Sequence, residues 1–141
     1  MKMNVSKVMT KRVSWVGPDS TLPEIARRMR AEDIGSIPVA HNDRLIGMVT
    51  DRDLVCRCLA MGLDPKTTTA RDVMTKGTVF CLDTQELDDA VRVMETKKVR
   101  RLPVINAKKR MVGMLSLGDV YNAASRPISE EAMQGVSAHH R

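Results

Sequence analysis

The chain contains the same sequence unit twice, and this duplication restricts the possible folds more than any other feature. DVMTKGTVF at 72–80 resembles KVMTKRVSW at 7–15, and KKVRRLPVI at 97–105 resembles EDIGSIPVA at 32–40. GMVTDRDL at 47–54 is matched by GMLSLGDV at 113–120. A unit of about 60 residues is marginal alone, so we expect the two copies to share a core.

Each copy predicts a short helix or turn at VMT, then an extended piece, an amphipathic helix, two strands and a last helix. Apolar residues at helical spacing predict one buried helix face per copy. These residues are Leu22, Ile25, Ala26 and Met29 in the first copy and Leu87, Ala90, Val91 and Met94 in the second. Thr21 and Glu24 have the spacing of a capping box, with Pro23 in the first turn of the helix.

The strand pairs are SIPVA with LIGMVT and RLPVI with MVGMLS. We expect Pro38 and Pro103 at strand starts or edges, because proline cannot donate to a sheet ladder. The last helix of the first copy, DRDLVCRCLAMG, can end at Gly62. The domain boundaries that follow are 5–62 for the first repeat, 63–69 for a linker, 70–125 for the second repeat and 126–141 for a tail that frays or forms an extra helix.

The composition is that of a soluble globular protein, with 43% hydrophobic and 28% charged residues among 141. No apolar run reaches the length of a membrane span, and the N-terminus lacks the apolar core of a signal peptide, so we expect a cytoplasmic protein. The net charge of +6 permits binding of nucleic acid or of an anionic small molecule. Single Phe, Tyr and Trp residues disfavour a platform for single-stranded nucleic acid.

The three cysteines do not have the spacing of a zinc finger. Cys56 and Cys58 lie two residues apart on a predicted helix and should point to different faces. We therefore expect these two and Cys81 to be buried or inert thiols, with no metal site.

The acidic motif in GMVTDRDL has three interpretations. Thr50 with Asp53, and Ser116 with Asp119, have the spacing of capping boxes at a strand-to-helix junction, which needs no ligand. A phosphatase-like nucleophile would use Asp51 and Asp53 as nucleophile and acid/base, but the second copy has Leu117 in place of Asp51. Because the duplication discards that residue, we predict that the protein is not an enzyme. The third interpretation is binding of a small molecule by the shared hydroxyl and aspartate.

Each copy contains the same series of motifs. The first has VMT, GSIPV and GMVTDRDL, and the second has VMT, RRLPV and GMLSLGDV. This duplicated series resembles a tandem pair of CBS domains, also called a Bateman module. The match covers roughly residues 5 to 125 and is of the stand-alone bacterial type. The resemblance implies an α+β fold of two β-α-β-β-α repeats packed with pseudo-twofold symmetry. It also implies two clefts for adenosine-containing ligands, and a disc-shaped homodimer.

In such a family each cleft joins the Thr/Ser-x-x-Asp motif of one copy to the Pro-Val strand of the other. Asp53 and Asp119 are then the predicted ribose acceptors, with Thr50 and Ser116 near phosphate, whereas Asp51 is solvent-facing or a helix-start charge. Cleft A would combine Met48, Thr50, Arg52 and Asp53 with Thr78, Val79, Arg100, Arg101 and Pro103. Cleft B would combine Met114, Ser116 and Asp119 with Val13, Ser14, Gly35, Ser36 and Pro38.

Cleft A contains three candidate guanidinium groups for phosphate, from Arg52, Arg100 and Arg101, and cleft B contains none. The alternative for Arg100 and Arg101 is an exposed basic strand end. We predict a regulatory module that needs no cofactor, binds AMP, ADP, ATP, NAD or S-adenosylmethionine, and passes a conformational change to an unknown protein partner. The alternative is a basic nucleic-acid-binding protein; association with a membrane is not expected.

Overall fold

The computed structural model describes residues 3–11 and 13–125, and the predicted tail at 126–141 lies outside them. Helices and short sheets alternate along the chain. In order they are a 3-10 turn at Val5–Lys7, α1 (Leu22–Glu32), β1 (Ser36–His41), β2 (Arg44–Thr50), α2 (Asp51–Leu54), a π-helical turn at Val55–Leu59, α3 (Ala70–Val73), β3 (Cys81–Leu82), α4 (Leu87–Lys97), β4 (Arg101–Ile105), β5 (Met111–Ser116) and α5 (Leu117–Ser125). This mixture confirms the predicted α+β class.

The chain divides into two compact units, which are described separately. The first unit comprises residues 14–78, and the second combines the described parts of 1–13 and 79–141. Each unit has a hydrophobic core of its own. The first core contains Val16, Leu22, Ile25, Met29, Ile37, Val39, Val49, Cys58, Ala70 and Val73. The second contains Val5, Cys81, Leu87, Ala90, Met94, Leu102, Val104 and Leu115.

In the first unit, β1 and β2 pair in an antiparallel hairpin. The turn between them uses Asn42 and Asp43 at φ of 50° and 66°, and two successive positive φ values match the twist of the strands. The helix α1 buries Leu22, Ile25 and Met29, as predicted, but Ala26 is exposed. The predicted apolar face was too wide by one residue, since Ala26 is small enough to be left in water at little cost.

The second unit has a three-stranded sheet in the order β3-β4-β5, with β3 parallel and β5 antiparallel to β4. The helix α4 packs against it through Leu87, Ala90 and Met94, and Val91 is partly buried there. The loop after β4 is closed by the Asn106 side chain, which accepts hydrogen bonds from the amides of Lys108 and Arg110. Both units thus cover a short sheet with one amphipathic helix.

Both prolines lie inside strands, third in β1 and third in β4, and β4 is the central strand of its sheet. The prediction of a strand start or edge was therefore wrong for Pro103, whereas Pro38 lies on an edge strand, since β1 and β2 form a two-stranded sheet. Pro103 faces Met114, whose own amide and carbonyl both bond to Thr10 on the far side of β5. Pro38 likewise faces Met48. No ladder hydrogen bond joins these pairs, so neither proline removes a bond from the β1–β2 or the β4–β5 ladder.

The VMT segment of each sequence repeat lies in the spatial unit that is formed mainly by the other repeat. The N-terminal arm, residues 3–10, docks on the second unit: the Val5 amide donates to the Gln85 carbonyl at 2.9 Å, and the Leu87 amide to the Met3 carbonyl at 2.7 Å. The central arm, residues 68–75, docks on the first unit, where the Leu22 amide donates to the Thr68 carbonyl at 3.2 Å. The spatial units therefore exchange these arms, and the repeat boundaries drawn from sequence stay a prediction.

Each hairpin has a glycine where an arm crosses it, and the missing side chain leaves room for the arm. A Cβ on Gly47 would lie 2.7 Å from the Met74 sulfur and 3.0 Å from the Thr75 carbonyl oxygen. A Cβ on Gly113 would collide with the Met9 sulfur and lie 3.0 Å from the Thr10 carbonyl oxygen. The glycine of GMV and GML recurs because the arm backbone passes directly over it.

Two details of the helices differ from expectation. The helix α1 begins after Thr21, with Pro23 in its first turn, but no side-chain cap is formed. The Thr21 backbone instead pairs with Thr69 of the central arm. The last helix of the first repeat is α-helical only to Leu54 and continues as a π-helical turn, although Gly62, at φ of 72°, ends it as predicted.

Candidate functional site

Thr50 and Asp53 form a reciprocal cap at the junction of β2 and α2. The Asp53 amide donates to Thr50 Oγ1 at 3.1 Å, and the Thr50 amide donates to Asp53 Oδ2 at 2.9 Å. Ser116 and Asp119 repeat this arrangement at the junction of β5 and α5, with both distances at 3.0 Å. Both capping boxes predicted at the strand-to-helix junctions are confirmed, and each stabilises its helix start by about 1 kcal/mol.

The strands position these caps on the sheet face opposite the core, because successive side chains alternate between faces. In the first unit Ile37 and Val49 point into the core, so their neighbours point away. The first-repeat face is formed by Ser36, Pro38, Met48 and Thr50, with Ser36 opposite Thr50 and Pro38 opposite Met48. The second-repeat face is formed by Arg101, Pro103, Met114 and Ser116, with Arg101 opposite Ser116 and Pro103 opposite Met114.

The Asp53 carboxylate is fixed by a second, cationic contact. Its Oδ1 atom lies 3.6 Å from Arg57 Nε, one helical turn along the chain. Arg57 Nη1 also donates to the backbone carbonyls of Val73 and Met74, each at 3.3 Å. Only 12% of the Asp53 side chain is exposed, against 51% for Arg57. The sequence interpretation missed Arg57, although its i, i+4 spacing from Asp53 could have indicated the ion pair.

The Asp119 carboxylate has a neutral neighbour instead. Thr10 Oγ1, from the N-terminal arm, donates to it at 3.5 Å from Oδ1 and 3.4 Å from Oδ2, both long contacts. Residue 123, which corresponds to Arg57, is alanine. Asp119 is half-buried. The two carboxylates therefore share a cap and differ in the charge beside them.

Asp51 is exposed and begins α2, as predicted for a helix-start charge. Its Oδ1 accepts from the Arg52 amide at 2.8 Å, and its own amide donates to the Gly35 carbonyl at 2.9 Å. A Cβ on Gly35 would lie 2.9 Å from Asp51 Oδ2, so the glycine makes room for the carboxylate. In the second repeat the Leu117 amide makes the same bond to the Arg100 carbonyl at 2.8 Å.

The residues predicted for each cleft are distributed over both units. For cleft A, Met48, Thr50, Arg52, Asp53 and Thr78 lie in the first unit, and Val79, Arg100, Arg101 and Pro103 in the second. For cleft B, Val13, Met114, Ser116 and Asp119 lie in the second unit, and Ser14, Gly35, Ser36 and Pro38 in the first. Within a unit, each cap lies beside the Pro-Val strand of its own repeat. The pairing of each cap with the other repeat's strand stays a prediction.

Several of these residues have local roles in their own unit. Ser14 Oγ donates to Glu32 Oε2 at 2.8 Å and accepts from Arg28. Thr78 Oγ1 donates to the Thr75 carbonyl at 3.3 Å. Arg52 and Arg100 are exposed, which leaves their guanidinium groups accessible to an anion.

Among the described residues, no three His, Cys, Asp or Glu side chains are grouped so that they could hold a metal ion. Cys56 is exposed and Cys58 is buried, which confirms that they face opposite ways. Burial raises the pKa of the Cys81 thiol to about 12. No helix in this part of the chain has both the length and the apolar character needed to span a membrane.

A search against known proteins finds relatives that match most of this chain. Hypoxic response protein 1 of Mycobacterium tuberculosis is 40% identical over 115 residues, which are 80% of this chain and 79% of that protein. The CBS domain-containing protein YhcV of Bacillus subtilis is 34% identical over 135 residues, which are 95% of each chain.

Solved structures give the same result for the fold. Hypoxic Response Protein I, crystallised with two coordinated zinc ions, has a TM-score of 0.77 at 38% identity, over 84% of this chain and 97% of that one. CBSX2, a CBS-pair protein from Arabidopsis thaliana, was crystallised in complex with AMP. That complex has a TM-score of 0.77 at 29% identity, over 87% of this chain and 96% of that one.

The family model for the CBS domain matches twice, over residues 5–59 and 70–126. Each match contains one of the two capped junctions, so the repeated geometry and the repeated family match coincide. From these matches and the 40% identity to a relative over most of its length, we conclude that the chain belongs to the CBS-domain family and carries two CBS domains in tandem.

Proposed function

We propose that this protein is a ligand-sensing regulatory module that binds an adenosine-containing nucleotide at its capped strand-to-helix junctions. The observation that carries the proposal is the orientation of the two carboxylates. Each uses Oδ2 to hold the cap backbone, at 2.9 Å for Asp53 and 3.0 Å for Asp119. A carboxylate has about four acceptor positions, so the remaining ones can accept hydrogen bonds from a ribose diol.

The rest of each face suits the other parts of a nucleotide. Met48 and Met114 lie on the same sheet faces as the cap hydroxyls and are apolar and polarisable. Met48 is partly exposed and Met114 is buried, so Met48 is the better placed of the two to contact an adenine ring. The amides at the start of α2 and α5 favour an anion such as phosphate, although neither short helix is a site by itself. The AMP complex of CBSX2, a protein with the same fold, supports an adenine nucleotide as the ligand.

The ribose contact can be tested with matched changes in protein and ligand. Calorimetry would compare AMP with 2′-deoxy-AMP on the parent, Asp53→Asn and Asp119→Asn, because asparagine retains an acceptor for the cap. Loss of a charged acceptor for ribose should weaken AMP binding by about 1.5–3 kcal/mol and remove most of the preference for AMP over 2′-deoxy-AMP. Asp51→Asn is the control and should change neither quantity.

Two results would refute this role. One is an Asp51→Asn variant that loses AMP while both cap variants retain it. The other is an unchanged AMP to 2′-deoxy-AMP ratio in both cap variants. The same titrations with ADP, ATP, NAD and S-adenosylmethionine identify which adenosine compound binds best.

Phosphate recognition is proposed to come from Arg52, Arg100 and Arg101 in cleft A. In cleft B, Gly118 stands where Arg52 would be. We expect Arg100→Ala/Arg101→Ala to lose most of the affinity advantage of AMP over adenosine, and that advantage to fall with added salt. An unchanged ratio would mean that these arginines do not contact the phosphate.

We also propose a homodimer. The apolar side chains first expected to need cover, Leu22, Ile25 and Met29, are buried within the first unit and do not support it. Among the described residues, Phe80 and Leu82 are exposed at β3, and the other six large exposed apolar residues lie on or just after the last helix of each repeat. These six are Val55, Leu59, Met61, Leu63, Leu117 and Tyr121. Sedimentation at high micromolar concentration should give twice the mass of the 15.7 kDa chain, and Leu59→Glu should shift it towards monomer.

A regulatory role also requires that ligand binding be transmitted to a partner protein. Ligand binding must favour one conformation over another to regulate anything. None of the three relatives named above is named as an enzyme, and the second copy has no counterpart of Asp51. We therefore propose that the response is a change in affinity for another protein, in the cytoplasm, without catalysis.

A further inference from the structure

Arg57 occupies a place in the first unit that no part of the proposed ribose site explains. Its side chain joins two segments that are separated in sequence. Nε lies 3.6 Å from Asp53 Oδ1, and Nη1 donates to the carbonyls of Val73 and Met74 at 3.3 Å. These carbonyls lie at the end of α3, where helix carbonyls lack intrahelical partners and a cation is favourable.

The segment held by Arg57 is itself anchored to the candidate site. The Met74 amide bonds to the Ala70 carbonyl at 2.8 Å, and the Thr75 amide bonds to the Met48 carbonyl at 2.9 Å. Met48 belongs to the first-repeat face. Three residues beyond Thr75, the chain leaves the first unit after Thr78. The central arm thus lies between the capped junction and the connection to the second unit.

A π-helical turn places Arg57 there. The Ala60 amide bonds to the Val55 carbonyl at 2.8 Å, which is the i to i+5 pattern that widens a helix by one residue. The turn buries Cys58 in the first core. Arg57, one residue earlier, reaches both Asp53 and the end of α3. Such turns cost stability and are found often at functional sites.

We propose that Arg57 is a positioning residue that couples the Asp53 carboxylate to the central arm. A group that contacts Asp53 Oδ1 competes with Arg57 Nε for this oxygen and loosens or redirects the guanidinium. The hydrogen bonds from Arg57 to the carbonyls of Val73 and Met74 change as a result. The inference rests on the proposed function only for the identity of that group, a ribose diol. The coupling between Asp53 and the arm exists without any ligand.

Among the described residues of the second repeat, no ion pair equivalent to that of Arg57 with Asp53 is present at Asp119. Ala123 replaces Arg57, and Asp119 faces the Thr10 hydroxyl. A group bound at the Asp53 junction would therefore change the contacts of the central arm. At the Asp119 junction, no cation among the described residues links the carboxylate to an arm. The two capped junctions have unequal roles, with the first as the responsive one.

The ligand-free test measures amide hydrogen exchange by NMR at Met74 and Thr75 in the full chain. We expect Arg57→Ala to accelerate exchange at both amides by about three- to tenfold, and Asp53→Asn to do so less. The double variant should be no faster than Arg57→Ala, because the two changes remove one interaction. Multiplied effects in the double variant, or no effect of Arg57→Ala, would overturn the proposal.

Two further variants separate positioning from general stability. Arg57→Lys keeps the charge but cannot hold Asp53 and both carbonyls with one planar group, so it should restore less than half of the lost protection. Arg92→Ala removes another arginine–aspartate pair on a helix, since Arg92 Nη1 lies 3.7 Å from Asp89 Oδ1 on α4. It should leave Met74 and Thr75 unchanged, and equal acceleration by Arg92→Ala would overturn the assignment.

The test with ligand uses AMP as the probe. In the parent, saturating AMP should change exchange at Met74 and Thr75 at least twofold, and in Arg57→Ala that change should vanish although AMP still binds. An AMP-induced change of equal size in Arg57→Ala would overturn the coupling. If the parent binds none of the adenosine ligands, the ribose proposal fails, while the ligand-free cycle still decides whether Arg57 couples Asp53 to the arm.

Discussion

Asp53 lies 3.6 Å from the Arg57 guanidinium, whereas Asp119, at the equivalent junction, has the Thr10 hydroxyl at 3.4 Å. The backbone bonds that hold the two carboxylates differ by only 0.1 Å, at 2.9 and 3.0 Å. The motif therefore sets the cap geometry in both repeats. The electrostatic environment is set by residues outside the motif, one on the following turn and one on an arm. A shared motif between repeats predicts shared geometry, and its neighbours decide whether the chemistry is shared.

The two repeats also differ in their cores. Ile25, fully buried on α1, corresponds to Ala90 on α4. Ile25→Ala should lower the free energy of unfolding by about 2–5 kcal/mol, because the first core is packed around the larger side chain. Urea unfolding measures this loss, with Ala26→Ser at the exposed neighbouring position as a control near zero. A loss below about 1 kcal/mol would show that the first core closes over the gap as the second does.

The glycines beneath the arms should behave alike. Gly47→Ala and Gly113→Ala each place a methyl group 3.0 Å from a carbonyl oxygen of an arm, and each should cost about 1–3 kcal/mol in unfolding free energy. Gly17→Ala is the control, because its nearest new contact is 3.9 Å away. A cost at only one of the two positions would mean that the arms are docked with unequal tightness.

Removal of the cap hydroxyls tests whether the two junctions are equally dependent on their caps. Thr50→Ala and Ser116→Ala should each cost about 1 kcal/mol in thermal or urea unfolding. Thr50→Ser serves as the control and should cost less, since it keeps the oxygen that accepts from the Asp53 amide. A clearly smaller cost for Thr50→Ala would indicate that Arg57 holds the first junction without the hydroxyl.

The smallest predicted effect depends on pH. Cys81 on β3 corresponds to Val16 in the first repeat, and burial raises its pKa from 9.0 to about 12. The folded thiol keeps its proton where the unfolded thiol loses it, so this contribution to stability is complete below pH 9 and falls as the pH rises towards 12. At pH 9.5 the loss should be below about 1 kcal/mol.

Cys81→Val, which restores the residue type of the first repeat, should abolish that component. The measurement is the difference in unfolding free energy between parent and variant at pH 7 and at pH 9.5. Parallel pH profiles for the two proteins would contradict the assignment of the effect to this thiol.

Local patterns predicted the main helices, the strands, the capping boxes at the two strand-to-helix junctions and the turn at Gly62, because spacing and turn residues determine these features over a few positions. The capping box predicted at Thr21 and Glu24 does not form, because the Thr21 backbone pairs with the central arm instead. The exchange of the arms was not predictable in the same way. The two VMT segments are so similar that sequence does not say on which hairpin each one docks. The interior positions of Pro38 and Pro103 depend on that exchange, since the arm threonines take up the outward-facing bonds of Met48 and Met114.

The role of Arg57 also lay beyond the sequence patterns. Its ion pair with Asp53 has helical spacing, but its bonds to Val73 and Met74 cross a distance in sequence of 16 and 17 residues. Backbone carbonyls carry no sequence signature, and the π-helical turn that aims the side chain has none in this chain. The predicted clefts depend on the arrangement of the two units, which no local pattern determines.

The exchanged arms bear on how a duplicated protein of this kind can arise. A chain with only one repeat would carry one arm and one hairpin, and its arm could dock on the hairpin of a second molecule. Two such chains that exchanged arms would each satisfy the glycine groove and the threonine bonds of the other. Gene fusion then turns an exchange between molecules into one within a single chain, and from that moment the two copies are free to acquire different residues. Arg57 and Ala123 are one such pair of different residues at corresponding positions of the two copies.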